Sequence, residues 1–215
     1  MIPTKTSLFF ISDAASATAQ SVLLDRLQKR HQPITSGLYR LDHRLLRSNT
    51  TSACTPEFLQ YVDIPHLSPC PFILAGSSSI ITIDRDFAAI LKAKLGPLWT
   101  HRQTLRLEGH SFDVDDFRVR VGRLLMGDTV RGVIVEVEYT PVDTMFAGEA
   151  VLRDFIDGLQ LPFTGRWVVG VELGTEWNVL DTGRLYCELL RLRWGIRLGT
   201  SGPGIRFLTL EWWNW

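Results

Sequence analysis

The segment from Asp116 to Pro141, DFRVRVGRLLMGDTVRGVIVEVEYTP, constrains this chain more than any other. In its first half Phe117, Val119 and Val121 fall on one face, with Arg118 and Arg120 on the other. In its second half Val133, Val135, Val137 and Tyr139 share a face, with Ile134, Glu136 and Glu138 opposite. Alternation at a period of two sends successive side chains to opposite sides of a strand, so each half predicts a half-buried β-strand. Gly127 and Gly132 bracket Asp128, Thr129, Val130 and Arg131, and the link predicts a hairpin loop of about four to five residues. If Gly127 pairs with Arg131, Arg120 stands opposite Glu138 on an outward polar face, a cross-strand pair worth about 0.2–1 kcal/mol.

The rest of the chain has the strand and helix signals to build around this hairpin. Ser7–Ser12 reads as a strand, and Asp13 as the N-cap of a helix to His31 with Val22, Leu23, Leu24 and Leu27 as its apolar stripe. Further strands are expected at Gly37–His43, Phe58–Val62, Phe72–Ala75, Ile80–Ile83 and Leu105–Glu108, with Gly109-His110 turning the last into Phe112–Val114. Ser48–Pro56 reads as a loop, and Pro65, Pro69 and Pro71 break the stretch after Val62. Helices are expected at Phe87–Leu95, capped by Asp84 or Asp86 and ended by Gly96-Pro97, at Thr144–Leu159 and at Leu180–Trp194.

Such a series predicts an α+β fold, an antiparallel, roughly eight-stranded β-barrel with flanking helices. It would form one domain over residues 1–199. Residues 200–215 start with a Gly-Pro-Gly breaker and end in IRFLTLEWWNW, a tail or extra strand rich in tryptophan.

Composition closes several function classes. Lys and Arg number 23 and so do Asp and Glu. Zero net charge supplies no basic footprint for nonspecific nucleic-acid binding. The three cysteines, Cys54, Cys70 and Cys187, are odd in number and match neither a disulfide framework nor a zinc knuckle. No apolar run reaches the roughly 20 residues of a membrane span, and Leu8–Ile11 is shorter than a signal-peptide core. An intracellular chain in a reducing compartment is expected.

Motifs for chemistry are sparse. His31, His43, His66, His101 and His110 form no H-x-x-x-H and lie beside no carboxylate at ligand spacing, so they read as surface or turn residues and no metal is expected. There is no G-x-S-x-G, no phosphate-binding loop and no dinucleotide fingerprint. No catalytic residue and no cofactor are therefore assigned. One pattern carries an alternative. Glu136 and Glu138 on one strand face could hold a divalent cation if they pointed into a barrel. Arg118, Arg120 and Arg123 could then grip triphosphate oxygens. This resembles the triphosphate tunnel enzymes and their E-x-E-x-K strand, but Thr140 stands where the lysine belongs. Outward glutamates paired with the arginines are the expected arrangement.

A second resemblance covers more of the chain. The order DF-x-V-x-VG-x-x-x-MG, a short loop, then RG-x-x-VEVEY-x-P resembles the family of subunit 20 of the Mediator complex of RNA polymerase II transcription. It is carried by Asp116, Phe117, Val119, Val121, Gly122, Met126, Gly127, Arg131, Gly132, Val135, Glu136, Val137, Glu138 and Tyr139. The upstream block Ile83, Asp84, Phe87, Leu91, Lys94 and Leu95 is similar too, so the likeness runs from about Phe72 to Pro141. The Trp-rich end has no counterpart in that family. The resemblance implies a barrel with flanking helices and a non-enzymatic subunit of the Mediator head module in the nucleus. It implies pairing with Mediator subunit 18, a related barrel, contact with other head subunits, and indirect coupling to RNA polymerase II and initiation factors. Because aromatic residues anchor interface centres, Trp167, Trp177, Trp194, Trp212, Trp213 and Trp215 are the candidate partner-facing residues.

Overall fold

The structure, a computed structural model, describes residues 5–49, 57–76, 79–140, 145–168 and 178–191. The expected loop beyond residue 49 and the unit at 200–215 lie outside the described residues. In chain order the elements are β1 (Lys5–Ser12), α1 (Asp13–Arg30), β2 (Ile34–Ser48), β3 (Phe58–Asp63), β4 (Phe72–Ala75), β5 (Ser79–Thr82) and α2 (Phe87–Ala93). A 3-10 turn at Gly96–Leu98 follows, then β6 (Trp99–Val114), β7 (Phe117–Met126), β8 (Thr129–Tyr139), α3 (Met145–Gly158), β9 (Arg166–Val168) and α4 (Val179–Arg191).

Every strand pairing among the described residues is antiparallel, and the α+β fold is as expected. The closed eight-stranded barrel is not. Among the described residues the strands form one nine-stranded sheet in the order β5-β4-β3-β2-β6-β7-β8-β1-β9, and the edges β5 and β9 do not pair with each other. The sheet curls around α4, which packs on β1, β3, β4, β5 and β9. A helix, rather than edge hydrogen bonding, therefore closes the inner face.

Both faces of the central strands are buried. On the inner face Leu41, Leu107, Leu124 and Ile134 meet Leu185, Leu189 and Leu190 of α4. On the outer face Val119, Val121, Val133, Val135 and Val137 meet Leu23 and Leu27 of α1 and Leu152 and Ile156 of α3. Burying an aliphatic side chain of this size is worth about 1.5–3 kcal/mol. Farther along the outer face, Leu91 of α2 covers Leu59, Tyr61 and Ile73 of β3 and β4. Arg30 at the end of α1 donates to the carbonyl of Gly158 and to Gln160, which ties the ends of α1 and α3 together.

Local chemistry explains several departures from the sequence reading. Gly109-His110 is not a turn. β6 runs straight through it, because Gly109 lies opposite Gly122 and a Cβ at Gly109 would sit 1.9 Å from the Val121 carbonyl oxygen. The glycine marks a close backbone approach. The β7–β8 link is a two-residue turn at Gly127-Asp128, since Met126 pairs with Thr129. Gly127 has φ +60°, the left-handed value that this tight turn places on a glycine. This tighter turn, with one extra β8 residue absorbed at a register shift near Leu124/Leu125, sets Arg120 opposite Glu136 rather than Glu138. β2 extends over 15 residues, well past both ends of the expected strand. α1 starts at Asp13 with Ser12 at the N-cap position, and α4 starts with a capping box. In that box the Asn178 side chain accepts from Leu180 N at 2.8 Å and Asp181 accepts from Asn178 N at 2.9 Å.

Candidate functional site

The hairpin glutamates lead to a polar cluster on the inner face. Glu136 points inward and is 1% exposed, so the expected outward orientation is wrong. The reason is the second apolar layer: on the side of β8 that alternation alone marks as polar, Ile134 packs in one core with the leucines of α4, and Tyr186 of α4 reaches Glu136. Arg120, on β7, is its direct cross-strand neighbour. Arg120 Nη1 lies 3.0 Å from Glu136 Oε1, and Nη2 donates to Glu138 Oε2 at 2.9 Å. One guanidinium therefore bridges both carboxylates.

Three residues from distant parts of the chain complete the arrangement. α4 brings Tyr186, whose hydroxyl donates to Glu136 Oε2 at 2.6 Å. β2 brings Tyr39, whose hydroxyl lies 2.6 Å from that of Tyr186 and can donate to it. The turn after β3 brings His66, with Nε2 3.0 Å from the same Glu136 oxygen. Its ring stands edge-on to Tyr39, with centroids 5.4 Å apart. Arg118 does not join, because it donates to Asp113 at 2.8 Å.

The electrostatics make the cluster self-sufficient. Burial alone pushes the Glu136 carboxyl up, but the Arg120 charge, His66 and the hydrogen bonds from His66 and Tyr186 together outweigh it and bring it from 4.5 to about 2. Burial pulls the Arg120 guanidinium down, and the Glu136 and Glu138 charges more than reverse this. Burial and then the Glu136 charge hold both tyrosine hydroxyls well above their ordinary value. At neutral pH the site is one guanidinium, one buried carboxylate and two phenols that donate toward it.

This arrangement suits structure rather than catalysis. Both Glu136 oxygens already have protein partners, Arg120 at Oε1 and His66 and Tyr186 at Oε2. A hard divalent cation takes about six or more oxygen ligands. Among the described residues no three His, Cys, Asp or Glu side chains are placed to hold one. The triphosphate-tunnel alternative is not favoured.

The other residues singled out by sequence fall in different places. Trp167 lies on β9 beside Phe9, with ring centroids 5.1 Å apart and the Arg153 guanidinium 6.0 Å from its ring, as part of the outer-face cover. Trp177, Trp194, Trp212, Trp213 and Trp215 lie outside the described residues. His43 is not a surface or turn histidine. It is fully buried on β2, where burial lowers it to about 4 while its Nε2 lies 3.1 Å from Gln60 Oε1. Sequence reasoning also missed Tyr39, His66 and Tyr186. The available signal was weak: Tyr186 sits on the apolar stripe of a helix, where a buried hydroxyl calls for a partner.

The family model for the TATA-binding related factor of subunit 20 of the Mediator complex matches residues 3–191. The chain is 25% identical over 109 residues to Mediator of RNA polymerase II transcription subunit 20b of Arabidopsis thaliana, covering 50% of this chain and 49% of that protein. It is 20% identical over 148 residues to the Schizosaccharomyces pombe subunit 20, covering 69% of this chain and 73% of that one. The match with the Aedes aegypti subunit 20 spans 39% of that protein, so several relatives are matched over half their length or less. Among solved structures, the Schizosaccharomyces pombe Mediator head module contains a chain matched at 12% identity with a TM-score of 0.36, covering 75% of this chain and 98% of that one. With its family model matched from residue 3 to residue 191, this chain belongs to the Mediator subunit 20 family.

Proposed function

We propose that the chain is a non-enzymatic assembly subunit of the Mediator head module that pairs with Mediator subunit 18 and works in the nucleus. Through that pairing it would help couple regulators to RNA polymerase II and the initiation factors. The observation that carries the reading, beside family membership, is the state of Glu136. The residue best suited to chemistry is sealed beneath α4 and held by Arg120, His66 and Tyr186. What remains available to other molecules is surface. The tryptophans outside the described residues, Trp212 and Trp213 above all, are proposed anchors for a partner.

Co-expression with the same organism's subunit 18, followed by size-exclusion chromatography with mass determination, tests this. A stable one-to-one complex, weakened by Trp212→Ala with Trp213→Ala, supports the proposal. A well-behaved monomer that ignores subunit 18 overturns it.

A further inference from the structure

The outer face of the sheet is only partly covered. α1 lies over β1, β7 and β8, and α2 lies over β3 and β4. Between them run β2 and β6, the two longest strands, at 15 and 16 residues. Their outward positions are open: Leu38, Arg40 and Asp42 on β2, Arg106 and Glu108 on β6, and Arg123 at the near edge of β7 are all exposed. Leu38 is 54% exposed. With Gln20 of α1 as one wall, these residues line an open groove of about 450 Å³.

The charges in the groove are arranged around one carboxylate. Glu108 pairs in register with Arg40 on one side and Arg123 on the other, and Arg106 lies two residues away on the same strand face. Asp42 pairs with Arg106 at one end. Three guanidiniums thus face two carboxylates. Among the described residues the side chains of Arg40, Arg106 and Arg123 form no ion pair or hydrogen bond, whereas those of Arg85, Arg118 and Arg120 are all engaged within the fold. Arginine forks that the domain itself leaves unused match incoming carboxylates in bidentate geometry.

The dimensions define the occupant. Two strand spacings separate β2 from β7, about 10 Å, and an α-helix with its side chains is about 10–12 Å across. From Leu38 to Arg44 the strand runs about 20 Å, the length of about 13 helical residues. We propose that this groove receives an acidic α-helix of a partner protein. That helix places carboxylates against Arg40, Arg106 and Arg123 and an apolar residue against Leu38, and it completes the outer helical layer between α1 and α2. A nucleic-acid backbone fits less well, because Asp42 and Glu108 would face phosphates and the whole chain has no net positive charge. A second copy meeting this face about a two-fold axis would set the same arginines against each other.

The groove is lined by residues of this chain alone, so its test is run without subunit 18. The test uses the full chain and fluorescence anisotropy. The probe is a 15-residue helical peptide bearing three glutamates at i, i+4 and i+7 beside a leucine, compared with its glutamate-to-lysine counterpart. The acidic peptide is expected to bind, more tightly at low salt. Arg40→Glu with Arg123→Glu, both at exposed positions, is expected to weaken it at least tenfold and to favour the lysine peptide instead. A wild-type circular-dichroism spectrum and melting curve show that the variant is folded. The proposal is overturned if the acidic peptide does not bind or binds the variant equally well. It is equally overturned if a short RNA or DNA strand displaces the peptide from the arginines, or if the wild-type chain dimerises through this face and the variant does not.

Discussion

Replacing Arg120 by methionine removes the charge that keeps Glu136 ionised while retaining an unbranched aliphatic stem. In the folded protein the Glu136 carboxyl stands at about 2, below the 4.5 of an exposed glutamate. Its contribution is therefore fully present above about pH 4.5 and is lost as pH falls through about 2. At about 1.4 kcal/mol per pH unit, that interval corresponds to about 3 kcal/mol. Removing one partner of a buried pair costs about 3–5 kcal/mol, which agrees in size. In the variant burial opposes the charge without Arg120, so the carboxyl rises. A raised group has the opposite sign: its contribution is present at low pH and lost as pH climbs through the folded value. Urea unfolding of the full chain, followed by circular dichroism, should show a gap between wild type and Arg120→Met of about 3–5 kcal/mol at pH 7. The gap should be clearly smaller at pH 3.5, where the variant holds a neutral acid. Adding Glu136→Gln to Arg120→Met should restore much of the loss, since the amide keeps an acceptor for Tyr186 without the charge. A gap below about 1 kcal/mol at pH 7, or the same gap at both pH values, would refute the reasoning.

Tyr186→Phe removes the donor to Glu136 and the partner of Tyr39, and chemical denaturation should show a loss of about 1.5–3 kcal/mol with the charged acceptor left short of a donor. Gly109→Ala forces a Cβ against the Val121 carbonyl and should cost at least about 2 kcal/mol, whereas Gly37→Ala, with open space around it, should leave the melting temperature within a few degrees of wild type. Burial pushes the Cys187 thiol up to about 12, so in a Cys54→Ser chain at pH 8 the partly exposed Cys70 should react with a thiol reagent, and Cys187 should react only after unfolding. With manganese and inorganic triphosphate, phosphate release should be the same for wild type and Glu136→Ala; a loss of turnover on that substitution would reopen the catalytic reading.

The hairpin at the centre of the fold was legible in the sequence because its signal is local. Val133, Val135 and Val137 alternate over a few residues, and Gly127 marks the turn. The same holds for α1 and α3, whose apolar stripes repeat along one helix face, and for β4 and β5 on either side of Gly76. Three things had no local signal. The register of β7 on β8 depends on the two-residue turn and on an irregularity near Leu124/Leu125, where one extra β8 residue moves the partner of Arg120 from Val135 to Glu136. The short β9 has no pattern of its own and exists because β1 offers it an edge. Openness of the sheet and burial of Glu136 were both decided by α4, which starts about 40 residues after the end of β8. Alternation reports that one face of a strand is apolar. It cannot report whether a distant helix will cover the other face and bring Tyr186 to the carboxylate waiting there. Local pattern along the chain was enough for the helices and for most of the strands, β9 excepted; the sealed ion pair on the hairpin's polar face came from tertiary packing, because it depends on elements meeting in space.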